Sequence, residues 1–399
     1  MSTVSTAQAA THKVHTLASL TASQVAAIRR VPAHDQVVPP SIEARRPAAM
    51  FTDPGHFALE QQRVFRRLPL PVTVSALIAA PGTALALDGY GLPLIVARDR
   101  AGTVRAFLNA CMHKGSKLLE TCDPVHTNRL VCPYHAWSYA LDGRLVGAAR
   151  PETFKNLDKQ ARGLAEIPCS EAGGLIWAIL DRAAPADFSG IDADLVRDFE
   201  ALELATSYVH GRKSFDLKAN WKLVLEPFLE GYHVQRLHAS SVGPLFADAP
   251  TVVDRLGNSL RQVSGKAQFT PDSLLDPTEN IHKTITHAYQ VFPCTVVITS
   301  PYYVSVMILK PMAVDRTLVD YHMLTLNPAD NERARALYDR SLAMVLNVFG
   351  NEDFRAAEIC QVGLSSGALR EVVYSGLEYA IPMHYETLDR CLGLTPPGA

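Results

Sequence analysis

The sequence lacks the features that would assign it to several large protein classes. No run of 18 apolar residues occurs among its 399 residues, so we expect no membrane-spanning helix and no membrane partner. The N-terminal residues show no basic start followed by an apolar core, so no secretory signal is expected. An excess of one charge is also missing: 38 lysines and arginines nearly balance 40 aspartates and glutamates. This balance gives no electrostatic indication of a nucleic-acid partner.

Cysteine is scarce, and its number is odd. Seven cysteines spread over the chain argue against a disulfide framework. We therefore expect a protein of a reducing compartment, the cytoplasm, in which clustered cysteines bind metal or take part in catalysis. Apolar residues (48%) and charged residues (20%) are at ordinary globular levels, and the length allows two or three domains.

Changes of pattern along the chain divide it into three predicted regions. Residues 1–50 are rich in Ala, Thr, Ser and Pro and predict an N-terminal arm with a helix near 18–30 and little chemistry. Residues 51–185 show short apolar runs between turn signals, such as Asp88-Gly89, which predict a small antiparallel β domain. Residues 186–399 predict a larger domain, with strands and then helices at 289–300, 304–310, 318–326, 331–350 and 351–364. The predicted fold class is α+β, with a helix-flanked antiparallel sheet in the larger domain.

The first group of metal-binding residue types lies in the predicted β domain as a C-x-H pair and a C-x-x-H pair: Cys111, His113, Cys132 and His135. Two thiolates and two imidazoles can bind one structural zinc ion, or the two irons of a [2Fe–2S] cluster with both histidines on one iron. Zinc sites usually take one ligand type from each loop. Here each loop supplies one cysteine and one histidine, which favours the asymmetric cluster.

The second group is the E-x-x-H-x₄-H pattern of Glu230, His233 and His238. Glu230 and His233 are three residues apart and are expected to share a helix face. His233 and His238 lie about 140° apart on an ideal helix, so they converge only if the helix bends or unwinds. Two histidines and one carboxylate leave positions of iron(II) open for O₂ and substrate. Asp353, at a predicted helix start, is the candidate carboxylate, although the helix dipole alone favours acids there.

Together with N-W-K-L at 220–223 and Q-x-G-L-x-S at 361–366, these groups resemble the α subunit of the Rieske non-haem iron ring-hydroxylating oxygenases. The resemblance extends from about Phe51 to Ser366. It implies a [2Fe–2S] cluster on the four ligands of the first group, and mononuclear iron(II) on His233, His238 and Asp353. It also implies that Glu230 bridges the two centres. The usual bridge is Asp, and Ala136 stands where the family usually has Gly.

The resemblance further implies a terminal oxygenase that uses O₂ to hydroxylate an apolar, commonly aromatic, small molecule. Electrons would come indirectly from NAD(P)H through a separate reductase, with or without a ferredoxin. The implied assembly is a homotrimer, with or without β subunits. Family members with Glu at the bridge position include enzymes for quaternary ammonium compounds, so a monooxygenase or N-demethylase for such a substrate is the alternative. A non-catalytic Rieske electron carrier and a zinc-stabilised binding protein stay open as other classes.

The predicted walls of the substrate pocket are apolar residues near the ligands or in the central strands: Phe228, Leu229, Val242, Leu245, Phe246 and Phe292. A cationic substrate would need an aromatic cage or a nearby acid. Glu226 and Asp248 are the candidate acids, with solvated surface positions as the alternative.

Overall fold

The computed structural model describes residues 13–34, 38, 40–249 and 251–394. Its α-helices are α1 (Ala22–Ile28), α2 (Pro54–Glu60), α3 (Ala193–Ala201), α4 (Trp221–Leu225), α5 (Val234–Leu237), α6 (Glu332–Val348), α7 (Phe354–Ser365) and α8 (Ala380–Leu392). Among these residues, no helix combines the length and the apolar character needed to cross a membrane.

The strands form a group near the middle of the chain and a second group in its C-terminal half. The first strand and the middle group are β1 (Ala44–Pro47), β2 (Leu70–Val74), β3 (Thr83–Gly89), β4 (Leu92–Arg98), β5 (Val104–Leu108), β6 (Val125–His126), β7 (Leu130–Val131), β8 (Ser138–Tyr139), β9 (Leu145–Gly147), β10 (Glu166–Ile167), β11 (Cys169–Ala172) and β12 (Leu175–Ala178). The C-terminal group is β13 (Tyr208–Leu217), β14 (Val252–Leu256), β15 (Ser259–Gly265), β16 (Ile285–Val291), β17 (Thr295–Thr299), β18 (Val304–Ala313), β19 (Arg316–Thr325) and β20 (Glu371–Tyr374).

The middle strands form the predicted antiparallel β domain. Its sheets have the orders β10-β5-β4-β3-β6, β11-β12-β2 and β7-β8-β9. The predicted turn at Asp88-Gly89 is wrong by two residues, because Gly89 still pairs with Leu92 across the hairpin. The turn residues are Tyr90 and Gly91, both with positive φ (56° and 69°). Positive φ at both positions matches the twist of a two-residue hairpin.

The C-terminal strands build one seven-stranded antiparallel sheet of order β13-β19-β18-β17-β16-β15-β14. The predicted single strand over 289–300 is wrong, since β16 ends at Val291 and β17 begins at Thr295. Pro293 lies between them, and proline has no N–H to donate to a sheet. Helices α4, α6 and α8 contact this sheet, so the predicted α+β architecture is confirmed.

The predicted helix break at Asn351 is wrong. Asn331 caps α6, accepting a hydrogen bond from Ala334 N at 2.9 Å. The chain then continues from α6 into α7 through one π-helical turn, Phe349–Asp353. A π turn shifts the face that later residues occupy, and such turns are frequent at functional sites. Asp353 is the last residue of this turn and is 2% exposed.

The described part of the N-terminal segment packs on the large sheet, where α1 contacts β14. Helix α1 confirms the helix predicted near 18–30, and β1 pairs with β20. Buried Glu60 accepts hydrogen bonds from Trp221 Nε1 at 2.8 Å and Lys222 Nζ at 2.6 Å. These contacts connect Glu60, from the predicted β domain, to α4 of the predicted larger domain. The division at 1–50, 51–185 and 186–399 stays a prediction from the sequence.

Candidate metal centres and substrate cavity

Two tight loops in the β domain carry the first group of predicted ligands. Backbone bonds close them: Gly115 N donates to Cys111 O at 2.8 Å, and Ala136 N donates to Cys132 O at 3.0 Å. Ala136 has φ 54°, a left-handed conformation that favours glycine and costs other residues about 1–2 kcal/mol. Both thiols are buried in a small apolar core that includes Phe107.

The two histidines of these loops lie side by side, half-buried. The ring centroids of His113 and His135 are 4.7 Å apart, and each Nδ1 is buried without a hydrogen-bond partner. The Tyr139 hydroxyl lies 3.3 Å from Cys111 Sγ. Other histidines of the described residues also have buried nitrogens without a partner, so the position of these two nitrogens beside two buried thiols is what indicates a ligand site. Two thiolates and two free imidazole nitrogens therefore fit a cluster with sulfur and nitrogen ends.

A single zinc ion fits this geometry poorly. Ligands at about 2.0–2.3 Å from one tetrahedral ion lie within about 4 Å of one another. In the described part of the chain, His233, His238 and Asp353 alone bring three such ligand atoms within 4.8 Å of one another. The four loop ligands are thus more widely spaced than one zinc ion allows, and the zinc interpretation is disfavoured.

The second group converges as the sequence predicted, with Asp353 included. Asp353 Oδ1 is 3.4 Å from His233 Nε2 and 3.2 Å from His238 Nε2. The two rings are nearly perpendicular, with centroids 5.1 Å apart. Two nitrogens and one carboxylate oxygen on one side of a site leave the other side open, as a non-haem iron(II) centre requires.

The histidines flank one short helix. Helix α4 ends at Leu225, because Pro227 interrupts it and only a 3₁₀ turn follows. His233 precedes the single turn of α5 and His238 follows it. The predicted bend or unwinding between the two histidines is therefore wrong, because the residues between them are helical and the helix ends only at His238 (φ −93°, ψ 18°). Gly243 lets the next loop fold onto α5, since a Cβ there would be 2.6 Å from His238 O.

Glu230 contacts His233, but not from a shared helix face as predicted. Its backbone is extended, with φ −150° and ψ 170°. Glu230 Oε2 accepts a hydrogen bond from His233 N at 3.1 Å, and Oε1 accepts one from His233 Nδ1 at 2.6 Å. The first contact is that of a helix-capping residue. The second fixes the ring so that Nε2 faces Asp353.

Glu352 makes the matching contact to the other histidine, and the sequence analysis did not assign it a role. Its Oε2 lies 2.5 Å from His238 Nδ1 and accepts a hydrogen bond from Ser241 Oγ at 2.7 Å. Adjacent acids in an ordinary helix point about 100° apart. The π turn directs Glu352 and Asp353 to opposite sides of the same imidazole, and no sequence pattern predicts that turn.

Three carboxylates therefore surround two imidazoles at a buried site. Burial lowers the pKa of His233, but hydrogen bonds with Asp353 and Glu230 outweigh it and raise that pKa to about 9. Burial raises the pKa of Asp353, but the two histidines outweigh it and hold the value below normal. The site is built to hold positive charge, and a divalent cation can replace the protons on the two Nε2 atoms.

A cavity of about 410 Å³ opens beside these three side chains. This volume is that of a site for a small molecule. Of the predicted wall residues it contains Phe228, Val242, Leu245 and Phe246. Leu229 and Phe292 do not line it, so those two predictions are wrong. Phe349 from the π turn adds a ring that meets the Phe228 ring edge-on at 5.4 Å.

Neither acid proposed for a cationic substrate lines this cavity. Asp248 forms a surface ion pair with Arg236 at 2.7 Å. Glu226 is partly buried and accepts hydrogen bonds from the hydroxyls of Tyr374 and Tyr385. Burial raises the pKa of Glu226 to about 7 despite those bonds. The surface alternative is confirmed for Asp248 and wrong for Glu226.

The N-terminal segment contributes to the cavity, contrary to the expectation of little chemistry there. Val31, Pro32 and His34 line it. His34 Nε2 lies 2.8 Å from the backbone oxygen of Lys266, which ties the segment to the end of β15. Composition alone could not show this, because Ala- and Pro-rich segments carry no binding pattern.

Comparison with known proteins supports the assignment of both regions. Residues 70–159 match the Rieske [2Fe-2S] domain, and residues 204–394 match the catalytic domain of the ring hydroxylating alpha subunit. The chain belongs to the Rieske oxygenases. It is accordingly an oxygenase subunit with a [2Fe–2S] cluster and a non-haem iron centre, which works with a reductase, a substrate and O₂.

Individual relatives are similar over different shares of their length. The chain is 27% identical over 338 residues to the carnitine monooxygenase oxygenase subunit of Escherichia coli K12, covering 81% of this chain and 85% of that protein. It is 33% identical over 224 residues to the glycine betaine monooxygenase oxygenase subunit of Chromohalobacter salexigens, covering 56% of this chain but only 49% of that protein. A quaternary ammonium Rieske monooxygenase structure superposes with TM-score 0.74 and 22% identity, covering 89% of this chain and 96% of that one.

Proposed function

We propose that this Rieske oxygenase oxidises a small quaternary ammonium compound with O₂, as a monooxygenase or N-demethylase. The observation that carries the proposal is the cavity of about 410 Å³, which joins a two-histidine, one-carboxylate site to aromatic walls. The Phe228 and Phe349 rings line the same cavity as Asp353. Aromatic rings of this kind attract quaternary ammonium groups. The similarity to the carnitine monooxygenase oxygenase subunit of Escherichia coli K12, which extends over 338 residues, supports the same substrate class.

We propose that His233, His238 and Asp353 hold iron(II), and that Cys111, His113, Cys132 and His135 hold the cluster. The first role is supported by Asp353 Oδ1, which lies 3.4 Å from His233 Nε2 and 3.2 Å from His238 Nε2. The second is supported by the unpartnered Nδ1 atoms of the two loop histidines, beside two buried thiols. Bound iron(II) supplies the site at which O₂ is activated. The protein's own contribution is to hold both imidazoles by their Nδ1 atoms, and to surround the reacting substrate with a largely apolar wall.

We propose that Glu230 bridges the two kinds of centre between neighbouring chains of a homotrimer. His135 lies at a half-exposed position and can donate its outer N–H to a carboxylate of another chain. Each carboxylate oxygen of Glu230 accepts one hydrogen bond from His233 and can accept a second one from another group. NAD(P)H as the indirect electron source, a ferredoxin, β subunits and a cytoplasmic location stay predictions from the sequence.

The aromatic substrate predicted first stays a second candidate, because most of the cavity wall is apolar. The test is to incubate reduced enzyme under O₂ with matched sets of quaternary ammonium and aromatic compounds, and to identify products by mass. We expect formaldehyde or hydroxylated products from the quaternary ammonium set. Oxygenated products from the aromatic set alone would reject the proposed substrate class.

The competing class of a non-catalytic electron carrier accounts for the β domain only. It leaves the convergence of His233, His238 and Asp353 without a role. Metal analysis distinguishes the two: the oxygenase is expected to contain three irons per chain, and a carrier two.

We expect Cys132→Ser to remove the visible and paramagnetic signals of the cluster while mononuclear iron still loads. Serine oxygen is a harder and more basic ligand than thiolate and replaces it poorly. Optical and electron paramagnetic resonance spectra of the purified variant measure this. Cys360→Ser, at an exposed position, is the matched control and should keep the native spectrum. A native spectrum in Cys132→Ser would remove Cys132 from the ligand set.

We expect Glu352→Gln to lower iron(II) affinity or activity about 10- to 100-fold, because hydrogen-bonded partners of metal-binding histidines have effects of that size. The amide is a weaker acceptor for His238 Nδ1, so the imidazole becomes less basic. The loss of affinity is measured as the iron content per chain at increasing concentrations of added iron(II). Excess iron(II) should restore turnover. Unchanged affinity would show that Glu352 does not hold His238.

A further inference from the structure

Among the residues that the structure describes, Lys266 on the cavity wall is a buried cation without a carboxylate partner. It is 9% exposed and lines the cavity. The other two buried lysines of the described residues each form an ion pair with a carboxylate, Lys222 with Glu60 and Lys310 with Asp320. Lys266 Nζ instead donates to the backbone oxygen of His282 at 2.7 Å. Burial of a charge without a carboxylate partner is unfavourable, so the position of Lys266 on the cavity wall favours an anionic partner in the cavity.

Polar residues share the cavity wall with Lys266. Ser264 lies in β15, two residues before Lys266, which directly follows the last residue of that strand, and Ser264 pairs with Thr286 on β16. Side chains two residues apart point to the same face of a strand, and both residues line the cavity. Ser300 lines it as well, two residues after Ile298 of β17. We call Ser264, Lys266, Thr286 and Ser300 the polar wall.

We infer that the polar wall binds a carboxylate of the substrate, with Lys266 as its cationic partner. The inference rests on the proposed function and specifies it: the substrate is a small zwitterion, with an ammonium group at one end and a carboxylate at the other. A lysine ammonium attracts a carboxylate and repels a quaternary ammonium group. The cationic end is therefore directed away from Lys266, toward the aromatic rings and the carboxylates around the histidines.

Two further observations agree with this assignment. Burial lowers the pKa of Lys266 to about 8, so the amine still carries its charge at pH 7. Lys266 is also the one lysine or arginine among the described residues that line the cavity. The backbone contact of Lys266 with His34 fixes the strand end that carries it.

The experiment compares acids with their methyl esters, which keep the shape and remove the negative charge. Trimethylammonio-alkanoic acids of two to four carbons, benzoate and all their esters are titrated calorimetrically into the anaerobic enzyme. We expect the wild type to bind its best acid about 10- to 100-fold more tightly than the ester. Lys266→Gln should remove this preference by weakening the acid alone. Lys266→Arg should keep it.

Matched controls separate recognition from folding. Lys283→Gln removes an exposed lysine that pairs with Glu279 and should change neither affinity. Iron content and melting temperature of Lys266→Gln should match the wild type, and its affinity for the esters should stay within about twofold.

The inference is overturned if no acid binds the wild type more tightly than its ester, or if Lys266→Gln keeps the preference. Turnover of the trimethylammonio esters together with either of those results would leave the proposed function intact. Conversely, benzoate binding that depends on Lys266, with no binding of any trimethylammonio compound, would reject the substrate class and keep the carboxylate site.

Discussion

Asp353→Ala is expected to abolish turnover, to lose the mononuclear iron and to keep the [2Fe–2S] cluster. Asp353 Oδ1 faces both His233 Nε2 and His238 Nε2, so its removal leaves two imidazoles and a water-filled gap. Two imidazoles alone bind iron(II) weakly, and the lost carboxylate also neutralised charge at a buried site. We expect the affinity for iron(II) to fall more than about 100-fold, which exceeds the loss expected when only a hydrogen-bonded partner of a metal-binding histidine is changed.

Iron per chain, counted beside the visible spectrum of the cluster, measures this result. The wild type should hold three irons and Asp353→Ala two. Asp339→Ala is the matched control, since Asp339 is an exposed acid on α6 that contacts His210 and lies outside the site. Retention of the third iron in Asp353→Ala would show that another acid is the ligand. Glu352, 2.5 Å from His238 Nδ1, would then be tested first.

The Rieske loops were predictable because their chemistry is local. Each loop places one cysteine and one histidine two or three residues apart, so the ligand set is visible in the sequence before any fold is known. Strands β4 and β5 were predictable for the same reason, since their apolar runs end at turn residues. The left-handed conformation of Ala136 was not predictable, because no residue type near it in the sequence indicates a positive φ at an alanine.

The surroundings of the mononuclear site were less predictable because they depend on backbone irregularities and on distant segments. The sequence predicts a break between two helices where the structure has the π turn at Phe349–Asp353. It also predicts a helix at Glu230, where the backbone is extended. His34 and Lys266 meet across more than 200 residues of chain, which no periodicity reveals. Tertiary packing, not local propensity, places these groups.

Glu230→Gln is expected to keep both metal centres and to lower turnover by about 100-fold or more, the upper end of effects at such partners. The amide oxygen can still accept the bond from His233 Nδ1, although more weakly, so iron should load when iron(II) is supplied in excess, as in Glu352→Gln. The amide nitrogen cannot accept a bond from His135 of a neighbouring chain, so the proposed hydrogen-bonded connection between the centres is lost. Chemically reduced cluster should therefore persist in the presence of substrate and O₂, whereas the wild type reoxidises quickly.

Glu352→Gln distinguishes this effect from a loss of iron, because it makes the same chemical change beside the other histidine. Excess iron(II) should restore turnover in Glu352→Gln and should not restore it in Glu230→Gln. The rate of cluster reoxidation, followed optically after one reduction, separates the two variants directly. Near-normal turnover in Glu230→Gln would show that the carboxylate is not on the electron path. Its contacts to His233 N and Nδ1 would then be the whole of its role, as a helix cap and a ring support.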